Sequence, residues 1–378
     1  MKQLLLILGL VLVTPVLAQQ NKNEKIISAV NEKLDEVWKE SNAPGISLSV
    51  VFPDGETETF TKGFANVEEG IEMTADIKML GGSTGKVFYS VVALQLIEEG
   101  KLKLDEPIFN TMSDYSWFAR IPNAKTLTVR SLMRHETGIP RYVFNETFQA
   151  DVLKDVDKVW KPEELLSYIF DTEPQFEVGK GFAYSDTNYI ILCMLIEKVT
   201  GNSLYDEVQK RVLDKAGLKQ VVPQTARSYN NIAQGYNAED DSFFPGLQFD
   251  ENGKSRYNLQ FEWAGGGLVI TSHDLAVLGK KIYEGEMFDA SLLEEYFNGI
   301  DAGNLGGQWG LGVHIRETPH GKAYGHSGFM PGYVTNMRYF AKNKFAISCQ
   351  INTSDKTRMS ILRHFSTISN LINEILNE

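Results

Sequence analysis

The sequence has little cysteine and histidine, and this scarcity limits the kinds of site that it can build. Cys193 and Cys349 are the only cysteines among 378 residues, and there are six histidines. No Cys/His spacing is typical of a metal site, so we predict neither a metal nor a cofactor. Each cysteine lies in an apolar run. An exported protein could pair them, but two separate buried thiols are the simpler prediction.

Basic residues are also in the minority. There are 37 Lys and Arg against 49 Asp and Glu, which gives a formal net charge of −12. An acidic chain repels phosphate backbones and anionic lipids. We therefore exclude nucleic acid and an anionic membrane surface as steady partners, and we predict a small-molecule or peptide substrate. The sequence does not indicate the oligomeric state.

The N-terminus carries a long apolar stretch. Residues 4–18 follow the basic Lys2, and Val16-Leu17-Ala18 before Gln19 offers small or short side chains at a cleavage site. This pattern predicts a signal peptide over residues 1–18, and hence an exported protein that is periplasmic or secreted. A membrane anchor is the alternative, but Pro15 and the short apolar length oppose it. We expect no stable membrane insertion after cleavage.

The two ends of the remaining chain share a strand-like texture. Alternating residues at 45–51 and 56–64 predict two strands, and the alternation returns between 310 and 352. A helix is predicted from Ser83 to Glu99, and an amphipathic helix over 359–376. This arrangement predicts an α+β fold, with an antiparallel sheet built from both chain ends and flanked by helices.

The middle of the chain differs from both ends. Residues 106–265 hold helical segments between polar loops, and 238–257 predicts a long surface loop. We interpret 106–265 as an inserted all-α domain. The sheet-and-helix domain then consists of residues 19–105 together with 266–378.

The strongest chemical signal is Ser83-Thr84-Gly85-Lys86 at the start of the predicted helix. Residues three apart share one helix face, so the Lys86 amine can take the proton of the Ser83 hydroxyl. The positive end of the helix dipole also favours an oxyanion at this position. An exposed serine beside a solvated lysine is the alternative. It is disfavoured because no other serine here has a lysine three residues later, and because two partner motifs follow.

The partner motifs are Tyr184-Ser185-Asp186 and Tyr324-Gly325-His326-Ser327-Gly328. Together with Ser83, Lys86 and the segments 127–140 and 263–275, they resemble the serine β-lactamase and penicillin-binding peptidase superfamily. The set is most similar to the class C-related branch, which includes D-alanyl-D-alanine carboxypeptidases, D-aminopeptidases, class C β-lactamases and related esterases. The resemblance covers nearly the whole chain after residue 18.

The resemblance implies a catalytic tyrosine and an oxyanion hole. Tyr184 is the implied tyrosine, since its phenol can shuttle protons between Ser83, Lys86 and a leaving group. Tyr229 starts a competing Tyr-x-Asn match, but only Tyr184 directly precedes a predicted helix. The backbone N–H groups of Ser83 and Phe329 are the implied oxyanion hole. His135 is interpreted as structural.

Two substrate-binding positions depart from the pattern of the superfamily. Asp186 stands where asparagine is usual, and a carboxylate there would hold Lys86 as an ammonium and shift the base role toward Tyr184. His326 stands where β-lactamases have lysine, and an ordinary histidine becomes a cation only toward low pH. Histidine here is similar to the peptidase and esterase members. Ser327 is a further candidate for substrate contact, and Gly328 lets the strand approach the substrate closely.

These residues predict an exported serine hydrolase that acts through an acyl-enzyme on small peptides or amides, particularly D-amino-acid peptides. A carboxylic ester hydrolase and a weak class C-like β-lactamase are alternatives with the same chemistry. The non-enzymatic alternative is a binding or sensor protein that is acylated but turns over slowly. The intact set of Ser83, Lys86 and Tyr184 argues against that alternative.

Overall fold

The computed structural model describes residues 2–241, 244–358 and 361–378, with side chains described from residue 19 and, after the last gap, from residue 364. The helices are α1 (Lys2–Ser41), α2 (Gly85–Glu98), α3 (Val129–Met133), α4 (Glu146–Lys154), α5 (Pro162–Ser167), α6 (Asp186–Thr200), α7 (Leu204–Val208), α8 (Asp214–Ala216), α9 (Ser272–Tyr283), α10 (Leu293–Tyr296) and α11 (Ile361–Asn377). The strands are β1 (Gly45–Val51), β2 (Thr57–Asn66), β3 (Ile71–Glu72), β4 (Met79–Leu80), β5 (Val222–Pro223), β6 (Leu268–Ile270), β7 (Ile300–Asp301), β8 (Gln308–Trp309), β9 (His314–Thr318), β10 (Gly321–Met330), β11 (Tyr333–Phe340) and β12 (Phe345–Ile351).

Within the described residues, nine strands form one antiparallel sheet in the order β3-β2-β1-β12-β11-β10-β9-β8-β7. The two chain ends meet where β1 pairs with β12, with Leu48 opposite Cys349. The predicted α+β fold, with an antiparallel sheet built from both ends and flanked by helices, is confirmed. A small second sheet, β4-β6-β5, lies beside it.

Each face of the large sheet buries a separate apolar core. Helices α1 and α11 cover one face, where Ile26, Val30 and Leu34 meet Phe365 and Ile368. Helices α2, α6 and α9 contribute to the core on the other face. Cys193 belongs to that second core and Cys349 to the first, and both are buried free thiols. The prediction of two separate thiols is confirmed.

Helix α1 includes the segment that was predicted as a signal peptide. Met1 lies outside the described residues, and the backbone of 2–18 continues as helix into the part of α1 that packs on the sheet. No helix in the described part of the chain is long and apolar enough to cross a membrane. Cleavage after Ala18 stays a prediction, as do the domain boundaries at 105 and 265.

The segment 238–257 is packed more tightly than a surface loop. Phe249 and Tyr257 are buried, and the Tyr257 ring stacks on Phe244 with ring centres 3.9 Å apart. Residues 242–243 lie outside the described part. The prediction of a surface loop holds for the exposed residues 250–254 but was wrong for these aromatic residues, because a few buried rings among charged residues leave the segment polar on average. The predicted final helix is observed as α11, and residues 359–360 lie outside the described residues.

Candidate active site

Ser83 lies in a short 3-10 turn, Gly82–Thr84, that leads directly into α2. Its side chain is half-buried between buried neighbours. Gly82 has φ +52°, and a Cβ atom there would lie 2.7 Å from the backbone nitrogen of Phe329. Glycine suits both the left-handed backbone and the close approach of β10. The turn therefore holds Ser83 at the N-terminus of α2 and beside the C-terminal end of β10.

Lys86 follows one helical turn later and is completely buried. Its ammonium group donates hydrogen bonds to Ser83 Oγ at 3.0 Å and to Asp186 Oδ1 at 2.7 Å. It also donates to the Gly265 carbonyl oxygen. Burial lowers the pKa of Lys86, but Asp186 and Tyr184 oppose that effect, and the pKa ends above its usual value. Lys86 is thus an ammonium in the resting site, so it donates to Ser83 and cannot accept a proton.

Asp186 is the first residue of α6 and joins Lys86 to a second cation. Arg141 Nε and Nη2 donate to Asp186 Oδ2 at 2.9 and 2.6 Å. Burial raises the pKa of Asp186, but Lys86 and Arg141 outweigh it and hold the pKa well below the usual range. The carboxylate therefore stays charged, as expected of a group that keeps Lys86 protonated.

Sequence reasoning misses Arg141, although it directly follows the Gly138-Ile139-Pro140 end of the segment 127–140. Its guanidinium carbon lies 4.3 Å from the ring centre of Phe144 and 5.4 Å from that of Tyr184. A neutral asparagine at position 186 would not need a second cation. The presence of aspartate at position 186 was therefore the sequence feature that could have indicated a second basic residue next to it.

The Tyr184 hydroxyl is buried and has no hydrogen-bond partner among the described residues. Lys86 Nζ lies 5.2 Å from the centre of the Tyr184 ring. Burial raises the pKa of Tyr184, and although Lys86 and Ser83 lower it, the pKa remains above the usual value. The phenol is therefore neutral, and its oxygen is close enough to Ser83 and Lys86 for both to lower its pKa.

Tyr229, the competing candidate, is placed differently. Its hydroxyl donates to the Ala226 carbonyl oxygen at 2.7 Å and accepts from the Ala226 N–H at 2.9 Å. Both hydrogen bonds of the Tyr229 hydroxyl are therefore made within its own loop, with Ala226. Of the two tyrosines, the structure brings only Tyr184 next to Lys86.

His135 supports the second motif from behind. Its Nδ1 atom accepts from the backbone N–H of Ser185 at 3.2 Å and from the Asn188 side-chain amide at 3.0 Å. The His135 and Tyr184 rings lie 4.2 Å apart between their centres. Burial lowers the pKa of His135 well below its usual value. A neutral, fully buried imidazole in these contacts orients Tyr184, which agrees with the structural role expected of His135.

His326 is buried, so the expectation that it becomes a cation at mildly acidic pH must be corrected. Its Nδ1 donates to the carbonyl oxygen of Ser327 at 2.6 Å, while Nε2 has no partner among the described residues. Burial, together with Lys86, lowers the pKa of His326 to about 3. The expectation of a cation at mildly acidic pH was wrong, because the sequence does not show that this position is removed from solvent.

A neutral His326 predicts that the KM of carboxylate-bearing substrates does not depend on pH in the mildly acidic to neutral range. Because His326 stays neutral from pH 5.5 to pH 8, the KM of a carboxylate-bearing amide should be the same at both pH values, once normalised to a neutral ester measured in parallel. Steady-state kinetics over that range test it. A KM that falls toward pH 5.5 for the carboxylate-bearing substrate alone would contradict the neutral state.

The third motif brings β10 against the Ser83 turn. A Cβ atom on Gly328 would lie 2.0 Å from the Gly81 carbonyl oxygen and 3.3 Å from the Ser83 nitrogen. The backbones that carry the Ser83 and Phe329 N–H groups are therefore in contact, as an oxyanion hole requires. Ser327 does not join them. Its side chain is exposed and lines a different cavity, so its expected contact with substrate does not fit this arrangement.

A pocket of about 430 Å³ opens beside Ser83. Asp186 and Arg141 lie at its polar end. The rest of the lining is mostly apolar and aromatic: Tyr142, Val143, Phe144, Phe148, Phe244, Phe261, Phe329, Met330 and Pro331. An apolar group of a substrate fits this wall, and the reacting carbonyl then lies toward Ser83.

Glu262 is a second residue that sequence reasoning misses. It lines the same pocket, is 7% exposed, and accepts the Gly267 N–H at 3.2 Å. Burial raises the pKa of Glu262 to about 7, against the opposing effect of Lys86. The carboxyl group braces the sharply bent segment around Trp263, which has φ +34° and leads to the Lys86 acceptor Gly265.

Glu262 makes stability depend on pH near neutrality. The folded protein keeps a proton that the unfolded chain releases above its ordinary pKa of 4.5, so stability falls as pH rises from there through about 7. Glu262→Gln keeps the acceptor for Gly267 and should raise the free energy of unfolding at pH 8 by up to about 3 kcal/mol, with little change at pH 4.5. Urea unfolding at both pH values tests this, with the exposed Glu251→Gln as control. An equal effect of Glu262→Gln at both pH values would contradict it.

Comparison with known proteins agrees with this geometry. The β-lactamase family model matches residues 30–365. The chain belongs to the β-lactamase family. Penicillin-binding protein 4* of Bacillus subtilis (strain 168) is 25% identical over 301 residues, which cover 75% of this chain and 63% of that protein. The D-aminopeptidase of Brucella anthropi is 22% identical over 334 residues, covering 86% and 59%. The chain thus spans less than two thirds of the length of either relative.

The fold of this β-lactamase family member is also found in solved structures. The D-amino acid amidase of Ochrobactrum anthropi SV3, complexed with L-phenylalanine amide, superposes with a TM-score of 0.78 at 24% identity, covering 93% of this chain and 99% of that one. Among the described residues, no group of three or more His, Cys, Asp or Glu is placed to hold a metal ion.

Proposed function

We propose that this protein is a serine hydrolase that cleaves small amides or peptides carrying a D-amino-acid residue, through an acyl-enzyme on Ser83. The observation that carries the proposal is the contact of Ser83 Oγ with Lys86, next to the unpartnered Tyr184 hydroxyl. The relatives called D-aminopeptidase and D-amino acid amidase support the D-residue.

In the acylation step, Tyr184 acts as a relay. Ser83 Oγ attacks the substrate carbonyl and passes its proton to Tyr184 Oη, while Tyr184 gives its own proton to the leaving nitrogen. Tyr184 begins and ends neutral, in agreement with its raised pKa. Lys86 remains an ammonium and stabilises the developing charge on Ser83 Oγ. The N–H groups of Ser83 and Phe329 stabilise the carbonyl oxygen.

Deacylation uses the same groups in reverse. Water attacks the acyl carbonyl, passes a proton to Tyr184 Oη, and Tyr184 returns a proton to Ser83 Oγ as the acyl bond breaks. The aromatic wall of the pocket favours an apolar side chain on the acyl residue. Because each step needs the ammonium form of Lys86, activity should be lost at alkaline pH.

Asp186→Asn tests the role of that ammonium. The change removes the carboxylate that raises the pKa of Lys86, so Lys86 should deprotonate at lower pH and the alkaline limb of the kcat/KM profile should move to lower pH. A full pH–rate profile of both proteins measures the shift. Movement of the acidic limb instead would show that neutral Lys86 is the base, and an unchanged profile would remove Asp186 from the proton path.

A substrate screen tests the proposed function. The purified protein is compared on D-phenylalanine p-nitroanilide, its L enantiomer, p-nitrophenyl acetate and a chromogenic cephalosporin. We expect kcat/KM for the D anilide to exceed that for the L anilide by at least about tenfold, since a difference of a single methylene contact in an apolar pocket already changes discrimination by about 1–3 kcal/mol. Ser83→Ala provides the background rate for each compound.

The other outcomes identify the alternatives. An ester rate far above both anilides, without preference for either enantiomer, would favour a carboxylic ester hydrolase, to which the neutral His326 is equally suited. Rapid cephalosporin hydrolysis would favour a β-lactamase. Stoichiometric acylation without turnover on any compound would favour the binding or sensor protein.

Export is part of the same proposal and rests on the pattern of residues 1–18. N-terminal sequencing of the protein recovered from outside the cytoplasm should begin at Gln19. Recovery of the protein only from the cytoplasm, with residues 1–18 retained, would contradict export.

A further inference from the structure

A second cavity, of about 360 Å³, lies between the large sheet and α11. Its polar lining includes Arg316, Ser327, Asn336, Arg338, Ser369 and Asn370. In the register of β10 and β11, Ser327 lies opposite Asn336, and Gly325 lies opposite Arg338. Paired residues project from the same face and successive residues from opposite faces. The cavity is therefore on the face opposite to His326 and Gly328, which face the Ser83 side.

Arg338 is the deepest charged group in this cavity. It is 7% exposed, and its one hydrogen bond within the described residues runs from Nη1 to the Met337 carbonyl oxygen at 2.9 Å. A Cβ atom on Gly325 would lie 2.9 Å from Arg338 Nη1, so the guanidinium occupies space that the glycine leaves open. No carboxylate among the described residues pairs with it.

A second guanidinium, Arg316, reaches the same cavity from β9. Its side chain is exposed, and its one hydrogen bond within the described residues is a 3.4 Å contact with the Leu305 carbonyl oxygen. Glu317 also lines the cavity, but 73% of its side chain is exposed and its ion pair within the described residues is with Lys322, at 3.9 Å. None of the residues whose side chains are left undescribed is an aspartate or glutamate. Neither guanidinium is therefore paired with a carboxylate of this chain within the described residues.

Burial without a counter-charge is costly. An isolated buried ion costs several kcal/mol, and proteins almost always pair such groups. Burial and Arg316 lower the pKa of Arg338 to about 10, which leaves it charged at neutral pH. The side chains of Ser327, Asn336 and Asn370 make no hydrogen bond within the described residues, so neutral donors are also available around the two guanidinium groups.

We propose that this cavity binds an oxyanion, the carboxylate or phosphate group of a small ligand, held between Arg338 and Arg316. Planar guanidinium groups match both kinds of oxyanion, and the neutral donors complete its coordination. The volume accommodates a ligand larger than the anion alone. The site uses none of the residues proposed for acyl transfer, so it does not rest on the proposed function.

Isothermal titration of Ser83→Ala protein with inorganic phosphate and, separately, with glutarate tests the proposal. The inactive background keeps the result apart from any turnover. We expect saturable binding, weakened at least about tenfold by Arg338→Gln, since a charge-assisted hydrogen bond contributes on the order of 1.5–3 kcal/mol. Arg316→Gln should weaken it less, because that side chain is exposed. Arg120→Gln is the matched control, as Arg120 is exposed and pairs with Asp171.

The separate titrations with phosphate and glutarate distinguish a phosphorylated ligand from a carboxylate ligand. Tighter binding of phosphate than of glutarate would indicate a phosphorylated ligand, and the reverse would indicate a carboxylate. If Arg338→Gln does not fold, the anion affinities of Arg316→Gln and of the charge-retaining Arg338→Lys are measured instead. Weakened binding in these variants would support the proposal, and unchanged binding would contradict it. Binding unaffected by substitution of either arginine, or no saturable binding of either anion at millimolar concentrations, would overturn the proposal.

Discussion

Replacing Ser83 with alanine should abolish covalent labelling by a fluorophosphonate probe and lower turnover of the best substrate by at least about 10⁴-fold, the scale seen when a nucleophile is removed. The loss follows from chemistry, since no other group in the site combines a free hydroxyl with the Lys86 ammonium at 3.0 Å. Mass spectrometry of the labelled protein and steady-state kinetics measure the two effects.

The fold should survive this change. Ser83 is half-buried and its Oγ atom contacts Lys86, which keeps two further acceptors, Asp186 and Gly265. Circular dichroism and the melting temperature should therefore match those of the unmodified protein. Labelling that persists in a folded Ser83→Ala protein would place the nucleophile elsewhere and end the assignment.

Tyr184→Phe should lower kcat by at least about 10²-fold, the usual scale for a proton-transfer group. Removing the hydroxyl should cost little stability, since that oxygen has no hydrogen-bond partner among the described residues. Tyr229→Phe is the matched control, because it removes a phenol that is bonded only within its own loop. Kinetics of the two variants on one substrate compare them directly.

Combining Tyr184→Phe with Lys86→Ala provides a second check. If both groups serve one proton path, the double variant should be little slower than the slower single variant. Lys86→Ala also leaves Asp186 buried with Arg141 alone, so its stability must be measured beside its rate. Near-normal turnover of Tyr184→Phe together with a slow Tyr229→Phe protein would show that the wrong tyrosine was chosen.

The three charges Lys86, Asp186 and Arg141 explain why a departure from the family pattern is tolerated here. Aspartate at position 186 adds a buried negative charge, and an unpaired one would be strongly destabilising. The two cations on its two oxygen atoms remove that penalty. The consequence is a raised pKa of Lys86, and the proposed mechanism therefore places the proton relay on Tyr184.

Local pattern was enough to predict much of this protein. Strand alternation at both ends and helical periodicity between them predicted the antiparallel sheet, because side-chain period reports which faces are buried. The spacing of Ser83 and Lys86 predicted their contact, since three residues along a helix bring side chains together. Motif order also predicted that Tyr184 would lie near them. These predictions depend on residues that are close in sequence, or on distant residues that belong to a recognisable set of motifs.

Only the tertiary structure shows which groups of the site are charged and which residues line its pocket. The pKa of His326 depends on burial beneath neighbouring elements, and that of Glu262 on its enclosure near Lys86. Arg141 joins Asp186 across 45 residues of sequence. Packing sets desolvation, and desolvation sets which buried groups are charged. The sequence by itself predicted the Ser83–Lys86 contact and the sheet, and the fold determined which of the groups around them are charged.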